Sequence, residues 1–212
     1  SGSPHRGREN CRGYGKPMTD PQVLLLPGWQ DSGPDHWQSR WLRWAPAGFI
    51  WRRVEQADWL WPRRGDWMAR LDQTLTDSDA PTLLVAHSLG CQLVAAWAAH
   101  SGHCARVHGA LLVAPPDTER ADMPPNLFSW RPIERRRLPF ASIVVASDDD
   151  PFCNPARAAQ MAALVQVFGV DQPDELRVVQ VIAPDEAAEP VQRVQRLHVV
   201  RISHRPNLPL RL

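Results

Sequence analysis

No apolar run in this 212-residue chain approaches the length needed to cross a bilayer. The N-terminus has no apolar core of the kind that directs secretion. Nor is there an excess of either charge: 24 Lys and Arg stand against 23 Asp and Glu, a formal net charge of +1. That balance gives no electrostatic reason to expect nucleic acid or an anionic membrane as a partner. No basic domain, aromatic-basic motif or recognition fold for nucleic acid is present either. The four cysteines, Cys11, Cys91, Cys104 and Cys153, form no Cys-x-x-Cys pair. Widely spaced thiols fit a reducing compartment better than a disulfide framework, so the expected location is the cytoplasm. The loop Pro27-Gly28-Trp29-Gln30-Asp31-Ser32-Gly33-Pro34 lacks the Gly-Lys-Ser/Thr ending of a phosphate loop, which argues against nucleotide binding there. His100, His103, Cys104 and His108 are close in sequence. They lack the paired spacing of zinc ligands, and a helix ending near Gly102 would scatter them, so no metal is expected.

What is present centres on residues 82–99. Three apolar residues, Leu83, Leu84 and Val85, lead into Ala86-His87-Ser88-Leu89-Gly90, and an alanine-rich stretch follows. This reads as a buried strand over 82–86, an abrupt corner, and a helix over 90–99. Small-x-Ser-x-Gly between a strand and a helix is a nucleophile-elbow pattern. Its steric reason is that positions two before and two after the serine nearly touch on so sharp a turn. Its chemical reason is that Ser88 Oγ stands clear of the backbone. The Leu89 amide, at a helix N-terminus, then faces a developing oxyanion. The loop after residues 22–26 can supply a second such donor, the amide of Trp29.

The flanking sequence alternates strand and helix patterns. Strands are expected over 22–26, 49–54, 82–86, 109–114 and 141–147. Helices are expected over 35–44, capped by Asp35, over 66–75, over 90–99, and over 155–168 with a proline near its first turn. Trp37, Trp41 and Trp44 recur at helical spacing and are expected on one face. Eight of the ten tryptophans fall between Trp29 and Trp67. Residues 118–139, rich in Pro and Arg, read as a cap or long connection. The alternation implies an α/β fold: a doubly wound, mostly parallel sheet with helices on both faces. Residues 1–17, rich in Gly, Arg and Ser, read as a disordered leader, an expression remnant or an over-extended start. Residues 18–212 read as a single domain.

Several separate motifs together resemble one family. They are Val23-Leu24-Leu25-Leu26-Pro27-Gly28-Trp29, Asp35-His36-Trp37, Gly65-Asp66-Trp67, Val85-Ala86-His87-Ser88-Leu89-Gly90, Leu112-Val113-Ala114-Pro115 and Asp149-Asp150-Pro151-Phe152. In this order they are similar to the small α/β-hydrolases of the YdeN and retinoblastoma-binding-protein-nine group. The resemblance implies a serine hydrolase without a cofactor, acting on a small-molecule ester or amide. It carries the nucleophile to Ser88 and the triad acid to Asp150, with Asp149 the runner-up. Leu89 and Trp29 become the oxyanion donors. Gly28, His36, Trp37 and His87 become candidates around the substrate.

The tail departs from the family. A Gly-His pair that would carry the general base is missing after Asp150. Only His198 and His204 follow the acid. His198 sits inside the apolar run 197–202 and reads as a strand residue, while His204 follows that run directly and is the preferred base. Residues 165–212 otherwise turn to Val, Gln, Arg and Pro, as an unrelated segment from a shifted reading frame would. The alternative to catalysis is therefore a hydrolase scaffold that binds a ligand or partner without turnover.

Overall fold

The computed structural model describes residues 20–147, 149–165 and 197–202. The expected leader, residues 166–168 of the last expected helix, and His204 lie outside these described residues.

Among the described residues, six strands form one sheet. They are β1 (Gln22–Leu26), β2 (Ile50–Arg53), β3 (Thr82–His87), β4 (Val107–Val113), β5 (Ser142–Ser147) and β6 (Leu197–Ile202). Their order across the sheet is β2-β1-β3-β4-β5-β6. The first five run parallel, and β6 lies antiparallel against β5. The helices are α1 (Trp37–Trp44), α2 (Arg64–Thr76), α3 (Leu89–Ala98) and α4 (Pro155–Val165). Among the described residues, no helix is long and apolar enough to cross a membrane.

β1 is buried at all five positions, four of them apolar as expected inside a parallel sheet, while the buried Gln22 donates its side-chain amide to Thr82 Oγ1 at 2.7 Å. The connection β1–α1–β2 runs toward one edge, and β2–α2–β3 crosses back past β1. Right-handed crossovers then place α1 on one face and α2 with α3 on the other. Side-chain alternation agrees. Leu24, Leu26, Leu84, Ala86, Leu112 and Val144 meet Trp67, Leu71, Leu75, Leu93, Val94 and Trp97 in the main core. Val23, Leu25 and Val85 face the other way, toward Trp37, Trp41, Leu42 and Trp51. On the α4 side, Ala146 packs with Ala158, Met161, Cys153 and Ile133. The change of direction between β1 and β3 makes a switch point. In such sheets the loops at the carboxyl ends of the strands part there to form a crevice.

Two local expectations are corrected. α1 begins at Trp37, not at 35, and its N-cap is His36, whose Nδ1 accepts from the Gln38 amide. Asp35 falls one residue too early to cap it. Trp44 does not share the buried face of Trp37 and Trp41. It ends the helix, Ala45 turns left-handed at φ 37°, and the Trp44 ring is 65% exposed.

Residues 118–139 do form a connection that closes over the main core. A short 3-10 turn, Pro125–Trp130, buries Leu127 and Trp130. The Trp130 indole donates to the Pro62 carbonyl at 2.9 Å.

A polar cluster ties α2 to the end of α3. Asp72 accepts from the buried Trp97 indole (2.8 Å), from Ser101 Oγ (2.7 Å) and from His103 Nδ1 (3.1 Å). Burial alone would raise the Asp72 carboxyl pKa; the hydrogen bonds from Ser101, His103 and Trp97 outweigh it and hold the carboxyl below its ordinary value. Asp72→Ala leaves the Trp97 N–H without its acceptor and is expected to lower stability by about 1–3 kcal/mol in urea unfolding. The sign of the pH effect follows from the depressed pKa. The stabilisation from the ionised carboxylate is present above the unfolded-state value and is lost as pH falls through the folded value. Acid titration should therefore destabilise the parent more than Asp72→Ala; equal acid sensitivity of the two would contradict this role.

Candidate active site

β3 ends at His87 and α3 starts at Leu89, which leaves Ser88 alone to make the corner. Its backbone is left-handed, φ 50° and ψ −121°, a conformation that costs a non-glycine residue roughly 1–3 kcal/mol. Neighbouring hydrogen bonds hold it. The Ser88 amide donates to the Val113 carbonyl at 2.9 Å, and the Ser88 carbonyl accepts from the Cys91 amide at 2.9 Å. Two glycines make the corner sterically feasible. A Cβ on Gly90 would lie 2.4 Å from the Leu26 carbonyl oxygen, so only glycine lets α3 start against the end of β1. A Cβ on Gly28 would lie 2.7 Å from Ser88 Cβ and 3.2 Å from Ser88 Oγ. The Pro27-Gly28-Trp29 backbone thus passes directly beside the nucleophile position. Neither the Leu89 amide nor the Trp29 amide makes a backbone hydrogen bond among the described residues.

Beneath the corner, the buried Gln38 fixes the strand ends. Its Nε2 donates to the carbonyls of Leu26 (3.1 Å) and Val85 (3.0 Å), and its Oε1 accepts from Ser32 Oγ at 2.9 Å. Nothing local to Gln38 signals this, because a glutamine inside a tryptophan-rich helix reads as surface. Cys91 packs under the elbow, and burial pushes its thiol pKa well up, so it is an inert core residue.

Above the corner lies a cavity of about 450 Å³. Ser88, Leu89, Trp29, His36, His87, Asp149 and Asp150 all line it. The structure therefore brings together the expected nucleophile, both expected oxyanion residues, the expected acid and its runner-up, and two of the four substrate candidates. Gly28 stands against Ser88 rather than in the wall. Trp37 is the exception. It is not among the lining residues, because it packs between His36, His87 and Trp41 over Val23, Leu25 and Val85. Its role is to back the two histidines.

A serine on a strained strand-to-helix corner, beside a glycine loop and across a cleft from a carboxylate, is the arrangement of acyl-transfer enzymes. The family model described as serine hydrolase matches residues 23–197. The chain belongs to the serine hydrolase family. Solved structures agree with this. A protein assigned as a YdeN-like hydrolase of Pectobacterium atrosepticum is 26% identical, with a TM-score of 0.57 over 68% of this chain and 73% of that one. The YdeN gene product of B. subtilis is 24% identical, with a TM-score of 0.53 over 68% of this chain and 81% of that one, and shows the same fold. No curated protein matches.

In this serine hydrolase the acid loop is built from both sides. Asp150 accepts the Phe152 amide at 2.8 Å. Burial raises its pKa and the neighbouring Asp149 adds to the effect, while the amides of Phe152 and Cys153 and the charge of Arg120 oppose it. Asp149 takes a hydrogen bond from Ser147 Oγ. The loop is tied to the cap: Arg120 donates to the Pro151 carbonyl and pairs with Asp122, and the Asp117 amide donates to the Phe152 carbonyl at 3.0 Å. Arg157 of α4 then holds Asp117 (3.1 Å) and Glu119 (2.6 Å). These arginines carried no signal in the sequence, since their partners are distant in the chain.

The histidines divide clearly. His100, His103 and His108 lie away from the cavity. His103 is on Asp72, His100 Nδ1 is 2.9 Å from the Ala96 carbonyl, and His108 Nδ1 is 3.3 Å from the Arg106 carbonyl. His36 and His87 sit together, ring centroids 4.5 Å apart. Burial pushes His87 down to about 4, and the neighbouring His36 adds to this. Burial also lowers His36, partly offset by Asp31. Both rings are therefore neutral near neutral pH, and His87 is too weak a base to serve Ser88. His198 lies in β6, as expected of a strand residue, and pairs with Ala146. Because β6 is antiparallel, its first residues lie beside the carboxyl end of β5, with Leu197 opposite Ser147. Its last residue, Ile202, lies opposite Ser142, at the far edge of the sheet.

The glycine contacts make a direct prediction. Gly90→Ala forces a methyl against backbone and is expected to cost about 1–3 kcal/mol in urea unfolding, the usual penalty of overpacking. Gly28→Ala presses on Ser88 itself, so it should reduce ester turnover more than it reduces stability. Full activity in both variants would show that the elbow is looser than its contacts indicate.

Proposed function

We propose that this serine hydrolase cleaves a small ester or amide by acyl transfer through Ser88. The observation that carries the reading is the strained Ser88 corner at the N-terminus of α3, in one cavity with Asp150. Ser88 Oγ attacks the substrate carbonyl carbon while a histidine accepts the hydroxyl proton. The resulting oxyanion is stabilised by the amides of Leu89 and Trp29. The histidine returns its proton to the leaving alcohol or amine, and the acyl-enzyme forms. Water then repeats the sequence and releases the acid. Asp150 holds the imidazole tautomer and stabilises its charge. The order Ser, Asp, His along the chain suits this fold. The chemistry uses the chain's own side chains and calls on no cofactor.

The base belongs to the last segment of the chain. Its position directly after an apolar run favours His204. The antiparallel register of β6 favours His198, which it sets at the same sheet edge as Ser147 and the acid loop. The widely spaced cysteines support a cytoplasmic setting, and Cys91, Cys104 and Cys153 are free thiols.

The test is hydrolysis of p-nitrophenyl acetate by the full chain, followed at 405 nm (about the absorbance maximum of the released phenolate). Ser88→Ala is expected to abolish it above the non-enzymatic rate, and Asp150→Asn to lower kcat about 10⁴-fold. One of His198→Ala and His204→Ala should match the Ser88→Ala loss, because triad members act as a unit. Turnover that survives in Ser88→Ala would refute the proposal.

A further inference from the structure

The cavity is lined by two unlike sets of residues. One holds Gln30, Asp31 and the neutral pair His36 and His87, of which His87 packs on Trp37 over the Val23–Leu25–Val85 face of the sheet. The other holds Ala114, Pro116, Met123, Leu127 and Phe152, of which Met123 and Leu127 belong to the core on the opposite face. That core packing makes this wall fixed rather than adaptable. Phe152 is 43% exposed and lies at the mouth. Beside this wall, the loop carrying Leu60 is latched in place: the Leu60 carbonyl accepts from the Trp29 indole at 3.2 Å and from Asn126 Nδ2 at 2.5 Å.

The charges around the cavity are of one sign. Its charged lining residues are Asp31, Asp149 and Asp150, and among the described residues no Lys or Arg lines it. Two arginines adjoin its carboxylates, and both are already committed. Arg53 is paired with Asp31, and Arg120 holds Asp122 and the Pro151 carbonyl. A substrate carboxylate entering here would lose its water and meet carboxylates, with no Lys or Arg in the lining among the described residues to pair it, which is the costly case for a buried charge. An aliphatic or aromatic chain would instead cover the Met123–Leu127–Phe152 wall.

We infer that the acyl group of the substrate is uncharged and apolar, and that it lies against Met123, Leu127 and Phe152, leaving the alcohol or amine portion to the His36–His87 side. This rests on the acyl-transfer reading above and adds the substrate class to it. A pocket of this size suits a small acyl group rather than a polymer.

The test compares p-nitrophenyl acetate, butyrate, octanoate and hemisuccinate. Butyrate and hemisuccinate have acyl chains of equal length and differ by one carboxylate. The expected kcat/KM for butyrate exceeds that for acetate by about tenfold or more, on the scale that apolar pockets discriminate methylenes. Hemisuccinate should fall about a hundredfold below butyrate. Phe152→Lys, at a half-exposed position, should raise hemisuccinate relative to butyrate by about tenfold, with Phe152→Ala as the control that lacks the charge. Equal rates for butyrate and hemisuccinate, or no change in their ratio in Phe152→Lys, would overturn the inference while leaving the nucleophile standing. If no ester is turned over, the acyl-transfer reading fails and the cleft is tested separately. In Ser88→Ala protein, octanamide should quench tryptophan fluorescence and compete with itself at saturation, whereas suberamate, the same chain ending in a carboxylate, should not. Equal binding of the two would overturn the inference on its own.

Discussion

The molecule is organised by one close approach, that of the β1 end to the β3–α3 corner. Gly90 lets the first turn of α3 lie against the Leu26 carbonyl, and Gly28 lets the following loop lie against Ser88. With any side chain at either position the two strand ends would separate. The left-handed Ser88 would then lose the neighbours that make its conformation affordable. Everything chemical depends on that contact. In the proposed mechanism it turns Oγ away from the backbone, aims a helix N-terminus at the reacting centre, and delivers a second amide from the Pro27-Gly28-Trp29 loop. Gln38 reinforces it from below by binding the Leu26 and Val85 carbonyls at once.

The second constraint is electrostatic. Asp150 is held in a partly dry cleft beside Asp149; burial first and Asp149 second raise its pKa, and the backbone amides of Phe152 and Cys153 and the charge of Arg120 offset this only in part. Arg120 and Arg157 do not enter the cavity. They anchor the cap and α4 to the acid loop through Pro151, Asp117 and Glu119. Positive charge is thus spent on holding the scaffold, and the cleft keeps neutral histidines and carboxylates. In the proposed reading, the same arrangement that positions Asp150 also sets which substrates the cleft admits.

Most of the fold was legible because its signals are local. Apolar runs such as 22–26 and 82–86 can only be buried strands, and small-x-Ser-x-Gly has one structural meaning between a strand and a helix. The errors were at the ends of elements. Asp35 looked like a cap, but His36 caps, because the choice depends on where the loop releases the chain. Trp44 looked like core, but an eight-residue helix ends before it can cover the sheet. Trp37 looked like a ligand contact and instead backs the histidines. Gln38, Arg120 and Arg157 could not have been found, since each acts on groups far away in sequence. His198 was legible as a strand residue, but not the direction of its strand, and that direction decides which sheet edge it reaches.

The central claim is that Ser88 is an activated nucleophile in this chain. The most direct measurement is intact-mass analysis after exposure to a fluorophosphonate at neutral pH, with Ser88→Ala in parallel. The account predicts rapid addition of a single phosphonyl group to the parent, located to Ser88 by peptide mapping, and no addition to the variant. A folded parent protein that stays unmodified would contradict it, as would one labelled equally with and without Ser88.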